Sequence, residues 1–247
     1  MSERSELPVP GTDERRAVVR HGHYGRPVLV FPSEAGRAED FENNGMVDAV
    51  QDLLGAGRVS LFCVDSFDAW SWSDTSVSTE ERARRHGLYH AWLEQSVVPY
   101  IHSGVGGPRE MLTLGVSMGA YHAVHFAFQR ADLAPLAIGL SGNYDIGSWR
   151  AWGERGDAAY FANPADYVSG LTGDHLRWLQ SRLSVLLVCG QGAWETHPTG
   201  ALPSTIRFAR LLADKGIVHE LDLWGTDVSH DWIWWQRQLS HHLRRFC

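Results

Sequence analysis

The sequence predicts an α/β protein in which helices flank both faces of a mostly parallel central sheet. Short, continuously apolar segments alternate along the chain with longer amphipathic ones, which is the pattern of buried parallel strands and covering helices. The chain has 247 residues, of which 44% are hydrophobic and 21% charged, and this composition is typical of an ordinary globular domain.

Each element follows from its own pattern. Seven apolar segments predict strands, in chain order near 18–19 and over 27–31, 59–64, 111–116, 133–140, 185–189 and 218–223. Five segments with helical spacing predict helices over 46–54, 79–101, 118–130, 204–215 and 231–245. Residues 142–183 interrupt this alternation and predict a small lid-like insertion. Residues 1–14 are polar and predict a flexible N-terminal tail, so residues 15–247 are expected to form a single domain.

Charge and composition exclude several classes of protein. The net charge is −7, and no Lys/Arg cluster exceeds the one at 82–85, so a nucleic-acid partner is not expected. No segment has the ~18 apolar residues of a membrane span, and the start lacks the apolar core of a signal peptide, which predicts a cytoplasmic protein that does not bind membranes. Three scattered cysteines, Cys63, Cys189 and Cys247, do not predict a disulfide framework. The sequence does not determine the oligomeric state, and it is compatible with a homo-oligomer.

The pentapeptide Gly115-Val116-Ser117-Met118-Gly119 lies between a predicted strand and a predicted helix. A sharp strand-to-helix turn projects a serine hydroxyl away from the backbone, and small residues two positions before and after it let strand and helix approach. The free N–H groups of the first helical turn face the same point, so the Met118 N–H is a candidate oxyanion donor. The pentapeptide therefore predicts that Ser117 is a nucleophile.

A matching acid and base follow two later strands. Glu195 comes shortly after the strand at 185–189, and His230 follows the last strand. Ligand sites in such sheets gather at the carboxyl ends of the strands, so these side chains are expected to meet Ser117. The chain order nucleophile, acid, histidine predicts a Ser117–Glu195–His230 triad.

These motifs resemble the esterase branch of the α/β-hydrolases, which includes S-formylglutathione hydrolase (esterase D), enterochelin esterases and mycolyltransferases. The resemblance extends over about residues 16–246 and is most specific at GVSMGA, CGQGAWE and SHDWIWW. It implies the α/β-hydrolase fold, with Ser117 as nucleophile, His230 as base and Glu195 at the position where the family usually has aspartate. It also implies a second oxyanion donor after the strand at 27–31, for which we favour the Glu34 N–H over that of Ser33.

Other acidic residues near His230 leave alternatives open. Asp222 lies on the preceding predicted strand and is the second candidate for the triad acid. Asp227 is better explained as a turn residue, and Asp231 as the N-cap of the last helix.

Histidines and tryptophans suggest further contacts. His86 and His90 stand four apart, and His122 and His125 three apart, but neither pair carries an HExxH glutamate, so no metal site and no cofactor are predicted. All four are expected to be partly exposed helix residues. Trp72 and Trp194 follow predicted strands and are expected to contact the substrate.

The sequence thus predicts a serine esterase that hydrolyses a small-molecule carboxylic ester through an acyl-enzyme. Two alternatives remain at this point: an acyltransferase that passes the acyl group to an alcohol or amine, and a binding subunit that retains the fold without catalysis.

Overall fold

The computed structural model describes residues 2–247. Its central feature is an eight-stranded sheet in the order β1-β2-β4-β3-β5-β6-β7-β8. Strands β1, β2 and β4 pair antiparallel, and the pairs from β4 through β3 to β8 are parallel. The strands are β1 Ser2–Pro8, β2 Arg15–His21, β3 Arg26–Phe31, β4 Val59–Val64, β5 Leu112–Val116, β6 Leu136–Leu140, β7 Ser184–Cys189 and β8 Val218–Leu223.

The first strand corrects one prediction. Residues 1–14 were expected to form a flexible tail, but Ser2–Pro8 pairs with β2 along its whole length. Because β1 is the outer strand of the sheet, its side chains are mostly exposed and carry no apolar pattern. Its backbone bonds to β2 hold it in place, with Leu7 as the one apolar side chain of the strand that packs against the core, which is too little for a sequence pattern to detect.

Ten α-helices accompany the sheet in the described part of the chain. They are α1 Asp40–Asn43, α2 Gln51–Gly55, α3 Thr79–Trp92, α4 Val98–Gly104, α5 Met118–Gln129, α6 Asp157–Phe161, α7 Pro164–Gly170, α8 Gly173–Arg182, α9 Ala201–Asp214 and α10 Trp232–Leu243. The helix predicted over 79–101 is interrupted by a π-helical turn, Leu93–Val97, between α3 and α4. Pro99 lies in the first turn of α4, where its missing N–H costs least.

Two apolar layers sandwich the sheet. Alternate residues along each strand face opposite sides, so Leu29 and Phe31 pack beneath α3 and α5, whereas Val28 and Val30 face α2 and α10. Both layers are buried, which explains the continuously apolar strands.

The segment predicted as a small lid forms a 3₁₀ turn, Ile146–Ser148, and the helices α6, α7 and α8. Helix α6 packs on α3, and α7 packs on α6 and α9. Only the start of the segment reaches the cavity described below, through Asn143, Ser148, Trp149 and Arg150. Among residues 2–247, no helix combines the length and the apolar character needed to cross a membrane.

Candidate active site

Ser117 stands at the turn between β5 and α5 with a strained backbone. Its φ of 56° and ψ of −122° lie in a region that residues with a side chain rarely adopt. A Cβ on Gly115 would come within 2.0 Å of the Gly119 carbonyl oxygen, and one on Gly119 within 2.1 Å of the Pro32 carbonyl oxygen. Only glycine fits at both positions, and the close approach of strand and helix points the Ser117 hydroxyl outward.

A continuous line of hydrogen bonds joins three distant parts of the chain. The Oγ atom of Ser117 lies 2.9 Å from Nε2 of His230. On the other side of the ring, Nδ1 of His230 lies 2.9 Å from Oε2 of Glu195. An ionised carboxylate can only accept, so Nδ1 carries the hydrogen and Nε2 is free to accept the hydroxyl hydrogen of Ser117. The structure therefore brings together the three residues predicted from the sequence in the orientation that general-base activation requires.

Glu195 is fully buried, and its carboxylate has several donors. Ser141 donates to Oε1 across 2.6 Å, and the Cys189 thiol donates to Oε2 across 3.4 Å. Burial, together with the neighbouring Glu195 charge, raises the pKa of the Cys189 thiol, so the thiol stays protonated and able to donate. These donors compensate for the cost of burying a carboxylate.

The loop that carries His230 is fixed at two points. The His230 backbone N–H donates to the Ala193 carbonyl across 3.0 Å, which ties the histidine loop to the loop that carries Glu195. The imidazole stands edge-on to the Trp235 indole, with ring centroids 4.9 Å apart and planes at 84°. Trp235 also donates its indole N–H to Ser141 Oγ across 3.1 Å. The first turns of α10 thus hold both the base and the partner of the acid.

Ser141 was not predicted from the sequence. It directly follows β6, at the same edge of the sheet as Ser117, and its φ of 54° is strained as well. The rule that functional groups collect at the carboxyl ends of parallel strands applies to it equally, but the sequence carries no motif around it.

The two residues whose N–H groups are the predicted oxyanion donors line the same cavity as Ser117. Met118 is the first residue of α5, so its N–H has no acceptor within the helix. Glu34 follows β3 and lines the same cavity as Ser117 and Met118. Within residues 2–247, neither N–H has a hydrogen-bond acceptor, whereas the N–H of the next residue, Ala35, donates to the Asp68 carboxylate. Both N–H groups are therefore without a protein acceptor, and their role as oxyanion donors stays a prediction.

A cavity of about 530 Å³ opens at Ser117 and His230. Its wall combines the aromatic rings of Trp72 and Trp149 with polar groups of Asn143, Arg150 and His197. Trp72 thus lines the cavity, and its predicted contact with the substrate stays a prediction.

Trp194 lies outside this cavity. It is 63% exposed and is not part of the cavity wall. The neighbouring Glu195 is turned inward to His230, whereas Trp194 projects to solvent, so the structure gives its predicted substrate contact no support.

The other acidic residues near His230 are engaged elsewhere. Asp222 accepts from the Trp224 indole at 2.8 Å and from His242 at 2.9 Å, which removes it as an alternative triad acid. Asp231 occupies the N-cap position of α10, as predicted, although its side chain makes no capping bond. Asp227 is exposed in the loop before His230.

Three of the four helix histidines differ from the prediction, whereas His90 is partly exposed as expected. His86, His122 and His125 are 2%, 1% and 4% exposed, so they are core residues and not partly exposed ones. Helix α3 packs against the buried helix α5, and this contact could not be inferred from spacing along the chain.

No protein-family model matches the chain, and no curated protein matches it in sequence. Solved structures do resemble it closely in fold. A ferulic acid esterase has a TM-score of 0.73 at 14% identity, over 98% of this chain and 95% of that chain. S-formylglutathione hydrolase from Agrobacterium tumefaciens has a TM-score of 0.73 at 13% identity, over 99% of this chain and 94% of that chain.

MPT51 (FbpC1) of Mycobacterium tuberculosis is similar to the same degree, with a TM-score of 0.73 at 15% identity, over 98% of this chain and 96% of that chain. Together with the strand order and the turn at Ser117, these likenesses establish the α/β-hydrolase fold, and the predicted fold class is confirmed. Because a fold hosts many activities, the chemistry has to be argued from the site itself.

Proposed function

We propose that this chain is a serine hydrolase that cleaves small or medium carboxylic esters through an acyl-enzyme. The observation that carries the proposal is the hydrogen-bonded line from Ser117 through His230 to the buried Glu195, at 2.9 Å for each step, at the mouth of a cavity. The named activities of the similar structures, ferulic acid esterase and S-formylglutathione hydrolase, support ester hydrolysis.

The reaction begins at Ser117. Nε2 of His230 takes the hydroxyl proton while Oγ attacks the ester carbonyl carbon. The carbonyl oxygen becomes an oxyanion and accepts hydrogen bonds from the N–H groups of Met118 and Glu34. Glu195 keeps the ring in the correct tautomer and stabilises the imidazolium that forms.

The acyl-enzyme then forms and is resolved. The imidazolium of His230 gives its proton to the leaving alcohol as the carbon–oxygen bond breaks, and Ser117 is left acylated. Water, deprotonated by Nε2, attacks the acyl carbon, and the returning proton restores the Ser117 hydroxyl. Neither step needs a metal ion or an organic cofactor.

Water is proposed as the acyl acceptor because much of the cavity wall is polar, with Asn143, Ser148 and His197 among its residues. Such groups hold water near the acyl carbon. An acyltransferase is the alternative within enzymes. Adding methanol to a steady-state reaction distinguishes the two, since a transferase would divert most of the acyl group to the methyl ester, whereas a hydrolase would release mainly the free acid.

The nucleophile is tested by comparing wild type, Ser117→Ala and Ser169→Ala. Ser169 is an exposed serine at the end of α7 and serves as the matched control. We expect wild type and Ser169→Ala to release nitrophenol from short-chain esters and to be labelled by a fluorophosphonate. Ser117→Ala should not be labelled, and its esterase activity should fall on the order of 10⁴-fold or more. Equal labelling of all three proteins, or no ester cleavage by folded wild type, would refute the proposal and favour a binding subunit.

A further inference from the structure

A cluster of histidines lies behind the cavity wall, between α3 and α5. His86 and His90 are four residues apart on α3, and His125 comes from α5. One ring nitrogen from each lies within 4.8 Å of those of the other two. The ring centroids of His90 and His125 are 4.7 Å apart, and those of His86 and His125 are 5.5 Å apart.

The hydrogen bonding of these rings is incomplete. His86 is 2% exposed, and neither of its ring nitrogens has a hydrogen-bond partner within residues 2–247. Leaving buried polar atoms unpaired is costly, and such atoms need a reason. For His125, Nδ1 lies 3.2 Å from the Tyr167 hydroxyl, and a hydrogen donated there leaves the Nε2 lone pair free. A partner of this kind fixes the tautomer and orientation of a metal-binding histidine.

The charge state of the rings and a nearby carboxylate favour a bound cation. Neutral imidazole is the form that binds metal ions, and a histidine with the ordinary pKa of about 6.5 is mostly neutral near pH 7. A buried carboxylate lies nearby: Asp68 accepts from Nε2 of His122 at 2.8 Å, and the His122 ring centroid is 5.2 Å from that of His86. It supplies negative charge to offset a cation.

We propose that His86, His90 and His125 form a site for one Zn²⁺ ion that ties α3 to α5. Imidazole nitrogens are favoured ligands of Zn²⁺, and a tetrahedral ion with bonds of about 2.0–2.1 Å holds its ligand atoms about 3.3 Å apart. The separations here, up to 4.8 Å, require the ring nitrogens to approach one another by about 1.5 Å when the ion binds. A water molecule completes the coordination.

The site is reached from the side of His90, which is only partly buried. It is separate from the proposed ester chemistry, although His86 packs against Trp72, a residue of the cavity wall, with ring centroids 5.1 Å apart. Because the ion joins two helices, its main effect is on stability: a ligand that binds only the folded state raises Tm, and Tm rises further with the logarithm of the free ligand concentration above Kd.

The experiment uses the full chain without a polyhistidine tag, stripped with EDTA and then freed of the chelator. Titration with Zn²⁺ in a calorimeter should saturate at one ion per chain and raise Tm. Titration with Co²⁺ should give the intense visible absorption of a four-coordinate ion. A folded wild-type chain that takes up no Zn²⁺ saturably, or only several ions weakly, would overturn the proposal.

Variants assign the ligands. His90→Gln changes the most accessible ligand and carries the least risk to folding, His86→Gln changes the ring without hydrogen bonds, and His175→Gln alters an exposed histidine on α8 as the control. We expect the Zn²⁺ affinity of folded His90→Gln to fall at least tenfold, and that of His175→Gln to match wild type. Equal affinity in His90→Gln and wild type would contradict the assignment, whether or not His86→Gln folds. Metal uptake is independent of ester cleavage, so this proposal and the proposed function can fail separately.

Discussion

The Ser141 hydroxyl donates a 2.6 Å hydrogen bond to Oε1 of Glu195, and both side chains are buried. The carboxylate is therefore held through one oxygen by Ser141, while the other oxygen accepts from His230. Trp235 donates to Ser141 in turn, which extends the line of hydrogen bonds into α10. A carboxylate fixed at both oxygens cannot rotate away from the imidazole.

Removing the Ser141 hydroxyl tests this positioning role. In Ser141→Ala, the Trp235 N–H and Oε1 of Glu195 each lose a partner, and we expect kcat to fall roughly tenfold to a hundredfold with a smaller change in KM. Ser141→Gly is the matched variant, because glycine also lacks the hydroxyl but accepts the φ of 54° without strain. Steady-state kinetics should show similar kcat losses in both variants. Wild-type kcat in either one would exclude the role.

Glu195 and Asp222 are distinguished by a pair of conservative substitutions. Glu195→Gln keeps the shape of the side chain but removes the charge that stabilises the imidazolium, so kcat should fall by about 10³- to 10⁴-fold. Asp222→Asn affects only contacts to Trp224 and His242 and should leave kcat near that of wild type. Both are measured with a nitrophenyl ester. A reversed pattern would identify Asp222 as the acid.

Alanine substitutions at Gly119 and at Gly87 should have opposite effects on the stability of the fold. A Cβ at Gly119 would lie 2.1 Å from the Pro32 carbonyl oxygen, so Gly119→Ala should lower the free energy of unfolding by about 3 kcal/mol or more. Gly87 lies inside α3, and apart from its chain neighbours and the backbone of its own helix no atom lies within 4 Å of its Cβ position. Gly87→Ala should raise the free energy of unfolding by up to about 1 kcal/mol. Urea unfolding measures both, and equal effects would contradict the tight approach at Gly119.

The histidine cluster predicts a loss of stability in mild acid for the metal-free chain. Burial lowers the pKa of His90 to about 4 from an ordinary value of 6.5, with the charges of His122 and Arg130 acting in the same direction. Between these values the unfolded chain binds more protons than the folded one, so stability is complete above pH 6.5 and falls as the pH drops toward 4. His90 contributes a slope of up to about 1.4 kcal/mol per pH unit there.

Urea unfolding with EDTA present, at several pH values from 7.5 to 4, measures that slope. His90→Gln removes one titrating group, so its free energy of unfolding should fall less steeply than that of wild type. His175→Gln should follow wild type. Identical slopes in wild type and His90→Gln would show that His90 titrates normally in the folded chain.

Much of the fold could be predicted because its signals are local. The strands β3 to β7 are covered on both faces, so each is a continuous apolar segment that stands out in the sequence. The positions of Glu195 and His230 followed from the same pattern, since both come after such strands. Strand β1 was missed because a strand at the edge of a sheet, with exposed side chains, is stabilised by backbone pairing that leaves no apolar pattern.

The remaining errors concern contacts between distant parts of the chain. The burial of His86 and His125 depends on how α3 packs on α5, and spacing along each helix shows only which residues share a face. The orientation of Trp194 depends on the turn that directs Glu195 inward. Neither could be derived without the packing of the whole domain.

The edge strand β1 affects whether the purified protein associates with itself. Its charged residues Glu3, Arg4 and Glu6 lie on the open edge of the sheet, where charge discourages pairing with a second molecule. A chain shortened to begin near residue 12 would present β2 as the new border, with the buried Ala17, Val18 and Val19 at its centre. Trimming these first residues to aid crystallisation would therefore promote self-association, which light scattering would reveal as particles larger than those of the intact chain.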